Sequence, residues 1–213
     1  MAYNLNDKLV IAISSRALFD LEEENQIFEK NGLDAYYKYQ LENENKSLKK
    51  GTGYRLVENI LKINSFFSAD ERQVEVIILS KNNAATSLRI TNAINDLKLD
   101  IIRSAWTSGT NISNYLKAFK VDLFLSADDN DVLNAIENGV AAAKILPSNE
   151  NIHNSSNDQV RIAFDGDAVL FSEESEFVYK NHGLDAFIEH EKENRDNPLE
   201  MGPFAKLLLT IAK

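Results

Sequence analysis

The chain has no cysteine, which excludes disulfides, thiolate nucleophiles and Cys-ligated zinc. Proline is down to 3 and glycine to 8 of 213 residues, too few for a collagen-like or long disordered segment, so the chain is expected to fold. Basic side chains are outnumbered, 23 against 33 acidic, for a net charge of -10. That balance repels a nucleic-acid backbone, whose affinity for proteins rests on phosphates neutralised by Lys and Arg. No nucleic-acid polymer is therefore expected as a partner. A small phosphorylated metabolite remains compatible, because a local site with a bound cation overrides the global field. Long apolar runs are also missing: none approaches the roughly 20 residues of a membrane span. The N-terminus "MAYNLNDKLVIAI" has no basic region followed by a long apolar stretch. No membrane is expected, and the cytoplasm is the default location.

What is present is ordinary globular composition, 44% apolar and 26% charged, in a length that allows one or two domains. An internal repeat organises it. The stretch "IAISSRALFDLEEENQIFEKNGLDAYYKYQLENENKSLKKG" from Ile11 lies over "IAFDGDAVLFSEESEFVYKNHGLDAFIEHEKENRDNPLEMG" from Ile162 at a constant offset of 151 residues. Gly32, Leu33, Asp34 and Ala35 fall on Gly183, Leu184, Asp185 and Ala186, and the register continues through Leu56 on Leu207 and Ile60 on Ile211. Such self-similarity marks tandem units. The expected division is a first unit over 1–148, a polar, turn-rich linker over 149–160, and the beginning of a second unit over 161–213. Along the first copy, β-branched runs such as "KLVIAI", "VEVIILS" and "VDLFLS" alternate with helical patterns such as "LVENILKIN" and "DNDVLNAIENG". This alternation predicts an α/β fold, a parallel sheet with helices on both faces. The second copy would expose Phe204, Leu207, Leu208 and Ile211 unless they pack on something, which makes a homo-oligomer plausible.

In such a sheet, ligands bind beyond the carboxyl ends of the strands. In "RIAFDGDAVLF", residues 161–164 read as a strand that delivers Asp165 to that edge. Gly166 lets the backbone turn close to a ligand, and Asp167 follows. One carboxylate can attack phosphorus, and the other can protonate the leaving oxygen and later deprotonate water. A phosphate dianion about 4 Å from a carboxylate costs roughly 4 kcal/mol per charge pair at an effective dielectric of 20, so a divalent cation is required and Mg²⁺ suits the oxygen ligands. A plain surface turn is the competing reading of Asp-Gly-Asp. A calcium loop fits poorly, because Val169 stands where an oxygen ligand is needed and Leu170 where a glycine is needed.

"FDGDAVLF" resembles the first motif of haloacid-dehalogenase-type phosphatases. "AISSRALF", "YYKYQLENE", "YLKAFKVDLFLSA", "RIAFDGDAVLFSEESE" and "HEKEN" together resemble the cytosolic 5′-nucleotidases of type I, over nearly the whole chain. The resemblance implies a haloacid-dehalogenase-like fold in two tandem units, the second lacking its C-terminal part. It implies Mg²⁺-dependent hydrolysis of nucleoside monophosphates, with Asp165 as nucleophile, Asp167 as acid/base and both as metal ligands. It also implies that the segment after Asp167 is a cap. The first copy carries Ser14 where the second has Asp165, and Arg16 where it has Asp167, so it lacks a carboxylate nucleophile. By resemblance, Ser80 and Lys117 stand at phosphate-binding positions, and Asp128 and Asp129 at the acidic pair that completes a metal shell. Ordinary strand-end and helix-capping roles compete for all four. Ser14, Arg16, Ser80 and Lys117 are thus candidates to hold a phosphate or a nucleotide effector without attacking it. The alternative to an enzyme is a catalytically incomplete nucleotide-binding fragment; a third reading keeps the chemistry on another substrate such as a sugar phosphate.

Overall fold

The structure, a computed structural model, describes residues 4–147 and 159–212, without the side chains of Asp167 and Ala168. It divides into two compact units, Met1–Val160 and Arg161–Lys213. Most of the expected linker lies outside the described residues.

In the first unit the order is β1 (Leu9–Ile13), α1 (Ser15–Leu18), β2 (Phe19–Asp20), α2 (Glu22–Glu42), β3 (Lys49–Lys50), α3 (Tyr54–Leu61) and β4 (Val74–Ser80). Then come α4 (Leu88–Asp96), β5 (Arg103–Trp106), α5 (Ser113–Ala118), β6 (Leu123–Ser126), α6 (Asp129–Glu137) and β7 (Ala142–Lys144). Five strands form one sheet in the order β5-β4-β1-β6-β7, every pair parallel. Parallel neighbours need crossovers, and right-handed crossovers fix the faces. From β1 the chain steps through β4 to β5, then returns past β1 to β6 and β7, so the helices of the two halves cover opposite faces.

The strand residues follow this. All five residues of the apolar β1 and all seven of β4 are buried, as in a two-sided sheet, and the one charge among them, Glu75, is paired with Arg72 and Arg103. Val10, Ala12, Ile77 and Leu79 pack with Ile112 and Leu116 of the α5 region, Phe124, and Ala135 of α6. By the two-residue period of a strand, Ile11, Ile13, Val76 and Ile78 turn to the other face. There Gly53 approaches so closely that a β-carbon on it would stand 3.0 Å from Ile13 Cδ1.

The second unit holds α7 (Glu174–Asn194) and α8 (Ala205–Ile211) and repeats the first unit's opening in detail. Phe171 bridges Met201 in antiparallel fashion, as Phe19 pairs with Lys50. Gly202 N donates to Leu170 O at 2.8 Å as Gly51 N does to Leu18 O at 2.9 Å. Each of the two long helices is broken at the shared glycine, Gly32 with φ 82° and ψ -175°, Gly183 with φ 83° and ψ -178°. Phe28 meets Tyr36 edge-on at 5.9 Å, and the equivalent Tyr179 meets Phe187 at 6.1 Å. The copies differ in the turn after the strand position: four α-helical residues in α1 become a five-residue π-turn, Gly166–Leu170, which shifts the following contacts by one residue.

One expectation fails. Residues 161–164 are not a strand, although their aligned counterparts are the buried β1. A central strand requires neighbours for its N–H and C=O groups, and among the described residues of this unit the Phe171–Met201 bridge is the only β pairing.

Candidate active site

Past the carboxyl ends of β1, β4 and β6 the first unit gathers polar side chains. Ser14 follows β1, takes an extended conformation (φ -74°, ψ 152°) and caps α1. Its Oγ accepts from Ala17 N at 3.3 Å and from Ala127 N, past β6, at 3.4 Å. Ser15 Oγ meets Ser80 Oγ, at the end of β4, at 3.1 Å. Ser14 and Ser80 are therefore brought to one mouth, with Ser15 as an unforeseen link. Arg16 is adjacent in sequence and pairs with Glu22 at 3.7 Å.

Lys117 is not brought there. It is exposed in the last turn of α5. The chain then descends to where the strands begin: Asp122 N donates to Val10 O at 2.8 Å, and the Asp122 carboxylate accepts from Val10 N at 2.9 Å. Besides Arg16, two lysines stand at the carboxyl ends of the five-stranded sheet among the described residues: Lys81, directly after β4, and Lys144, the last residue of β7. Lys81 Nζ lies 2.6 Å from Asp131 Oδ1, and Lys144 Nζ 2.7 Å from Asp129 Oδ2. Asp128 caps α6, its Oδ1 accepting from Asp131 N at 3.0 Å. Of the four carboxylates that resemblance offered to a metal, the first unit's two thus have other partners, Asp128 as a helix cap and Asp129 with Lys144, and among the described residues no three His, Asp or Glu converge on a cation position.

A second chain of hydrogen bonds enters the mouth from α2. Gln40 Nε2 donates to Tyr36 Oη at 3.0 Å, and Tyr36 Oη donates to Asn82 Oδ1 at 2.9 Å. Asn82 N in turn donates to Ser80 Oγ at 3.3 Å. Burial pushes the Tyr36 phenol above its ordinary pKa, since desolvation disfavours a phenolate. No short motif signals this chain, because its partners come from an α2 face and a strand-end loop far apart in sequence. Lys81, by contrast, was findable as the residue immediately beyond a buried strand.

In the second unit Asp165 takes the backbone conformation of Ser14, φ -68° and ψ 152°, at the head of the π-turn. Its Oδ1 accepts from Gly166 N at 2.7 Å, and the residue is exposed. The side chain of Asp167 lies outside the described residues.

A parallel α/β sheet with polar groups gathered beyond its strand ends, followed by a second copy of its opening module with a carboxylate in the capping position, defines an α/β protein with an internal repeat. The model of a family described as 5′-nucleotidase matches residues 1–213, and the chain belongs to that family. It is 35% identical over 209 residues to cytosolic 5′-nucleotidase 1B of Homo sapiens, covering 96% of this chain and 34% of that protein. The chain thus spans about a third of the length of this curated relative. Among solved structures, the HAD domain of the effector protein Lem4 from Legionella pneumophila, an inactive mutant, matches with a TM-score of 0.39 at 12% identity, covering 68% of this chain and 88% of that one. Among the described residues no helix is long and apolar enough to cross a membrane.

Proposed function

We propose that this chain carries the nucleophile and acid/base of a cytosolic 5′-nucleotidase at Asp165 and Asp167, hydrolysing a nucleoside monophosphate to nucleoside and phosphate. The observation that carries this reading is the position of Asp165. It has the conformation and capping place that Ser14 has at the end of β1, where the first unit collects its polar groups, but with a carboxylate instead of a hydroxyl. Family membership supplies the substrate class.

The Gly166 N–H holds one Asp165 oxygen and so orients the carboxylate for attack on phosphorus. Attack forms the acyl-phosphate bond on Asp165 while the bond from phosphorus to the nucleoside oxygen breaks. Asp167 gives its proton to that oxygen, then takes one from the water that cleaves the aspartyl-phosphate and returns Asp165 as a carboxylate. Two carboxylates one residue apart are the hard oxygen donors that Mg²⁺ takes; Asp165 and Asp167 would hold it, and it would offset the repulsion between phosphate and carboxylates.

A second reading rests on the hydroxyl cluster of Ser14, Ser15 and Ser80: nucleotide held in the first unit without turnover. One experiment separates the two. Phosphate release from AMP and dAMP is measured with Mg²⁺ for the 213-residue chain and for Asp165→Asn. Turnover lost in the variant is the expected result. Absence of turnover in both, with nucleotide still bound, overturns the first reading in favour of the second.

A further inference from the structure

Ligands of a parallel sheet such as the first unit's bind beyond its strand ends, and at that mouth, among the described residues, Asp128, Asp129 and Asp131 each have another partner. We infer that two lysines, Lys81 and Lys144, take the place of a divalent cation in this mouth, which makes it a metal-independent remnant. Strand order carries the argument. β4 and β6 flank β1 on either side. Lys81 follows β4 and Asp131 belongs to the helix after β6, so their contact at 2.6 Å spans the carboxyl end of β1, directly beyond Ser14. On the other side of β6, Lys144 closes on Asp129 at 2.7 Å. Asp128 is turned into the cap of α6.

The charge balance agrees. The second unit has a carboxylate at the capping position, whereas the first has the neutral Ser14. Of the three acidic side chains at this mouth, Asp129 and Asp131 each face an ammonium group, and Asp128 accepts the Asp131 N–H at the N-terminus of α6. A metal would have to displace Lys81 from Asp131, whose carboxylate is the buried member of the pair, 11% exposed against 45% for the lysine side chain. Mg²⁺ in addition demands near-octahedral oxygen geometry and gives up its water reluctantly, so two carboxylates already bonded to ammonium groups make a poor site.

The inference is independent of whether Asp165 turns over substrate, and the test removes that centre. Bound Mn²⁺ is counted by electron paramagnetic resonance on the full chain carrying Asp165→Asn and Asp167→Asn, and the melting temperature is followed with and without Mg²⁺. No bound Mn²⁺ and an unchanged melting temperature are expected, since an ion that does not bind the native state cannot stabilise it. Adding Lys81→Met and Lys144→Met to that background frees Asp129 and Asp131 and is expected to create Mn²⁺ binding, with circular dichroism confirming the fold. Mn²⁺ bound by the first protein overturns the inference whether or not the second folds. A folded second protein that still binds none also overturns it, because the lysines would then not be what excludes the ion.

Discussion

Tyr36 shows how much a single hydroxyl can carry. Its hydroxyl lies between the Gln40 and Asn82 amides, and the remaining atoms of those amides, Gln40 Oε1 and Asn82 Nδ2, are buried with no hydrogen-bond partner among the described residues. A Tyr hydroxyl donates once, so one amide must offer it an acceptor and the other a donor. Removing the hydroxyl strands both. The second copy has Phe187 at the equivalent position in the same edge-on ring contact, so a phenyl ring fits there. Tyr36→Phe is therefore a clean deletion of hydrogen bonds. At about 1–3 kcal/mol for each of the two buried groups left unpaired, it should lower stability by roughly 2–6 kcal/mol in urea denaturation, while Tyr37→Phe, on the exposed side of α2, should change nothing measurable. Equal effects of the two substitutions would show that the chain of bonds into the mouth contributes no stability.

The elements of the first unit were largely legible in the sequence, since "VEVIILS" and "LVENILKIN" announce a buried strand and an amphipathic helix by period and length alone. The repeat marks Gly32 and Gly183 as shared positions of the long helices, and the structure shows that both helices break there. Gly32 and Gly183 combine positive φ with ψ near 180°, a region that is essentially closed to residues with a β-carbon. Space is not the issue, because nothing lies within 4 Å of a β-carbon added at either position. Gly32→Ala should thus cost on the order of 1–3 kcal/mol through backbone strain alone, and Gly183→Ala about the same, read as a fall in the thermal midpoint. A neutral result at Gly32 would mean that the two halves of α2 can join into one continuous helix. That is opposed by the first-turn ion pair of Glu24 with Arg89 of α4, which is buried on both sides, and by Asn92 donating to Glu44 O just beyond the helix end. What the sequence concealed were contacts of this kind, along with the place of Lys117 in the exposed last turn of α5. Helix period places a lysine on a helix but not at the top or the bottom of the sheet it crosses.

At the scale of the molecule, one local sequence meets two environments. Ile11, Val57 and Ile60 are 2%, 1% and 3% exposed, whereas their counterparts Ile162, Leu208 and Ile211 are 45%, 40% and 46% exposed. The turn, the bridge and the broken helix form in both copies because short-range bonds hold them. The strand forms only in the first, because β1 has β4 and β6 to pair with. Reading 161–164 as a strand was correct about propensity, but propensity cannot supply neighbours. Amide exchange tests the consequence residue by residue, since protection tracks the free energy of local opening. Amides of β1 should open only with the whole first unit, while those of Ile162, Ala163 and Phe164 should exchange faster by on the order of a thousandfold or more. Protection at 162–164 comparable to that of β1 would instead mean that this segment finds strand partners in solution, and the candidate nucleophile Asp165 would then stand at the end of a paired strand as Ser14 does.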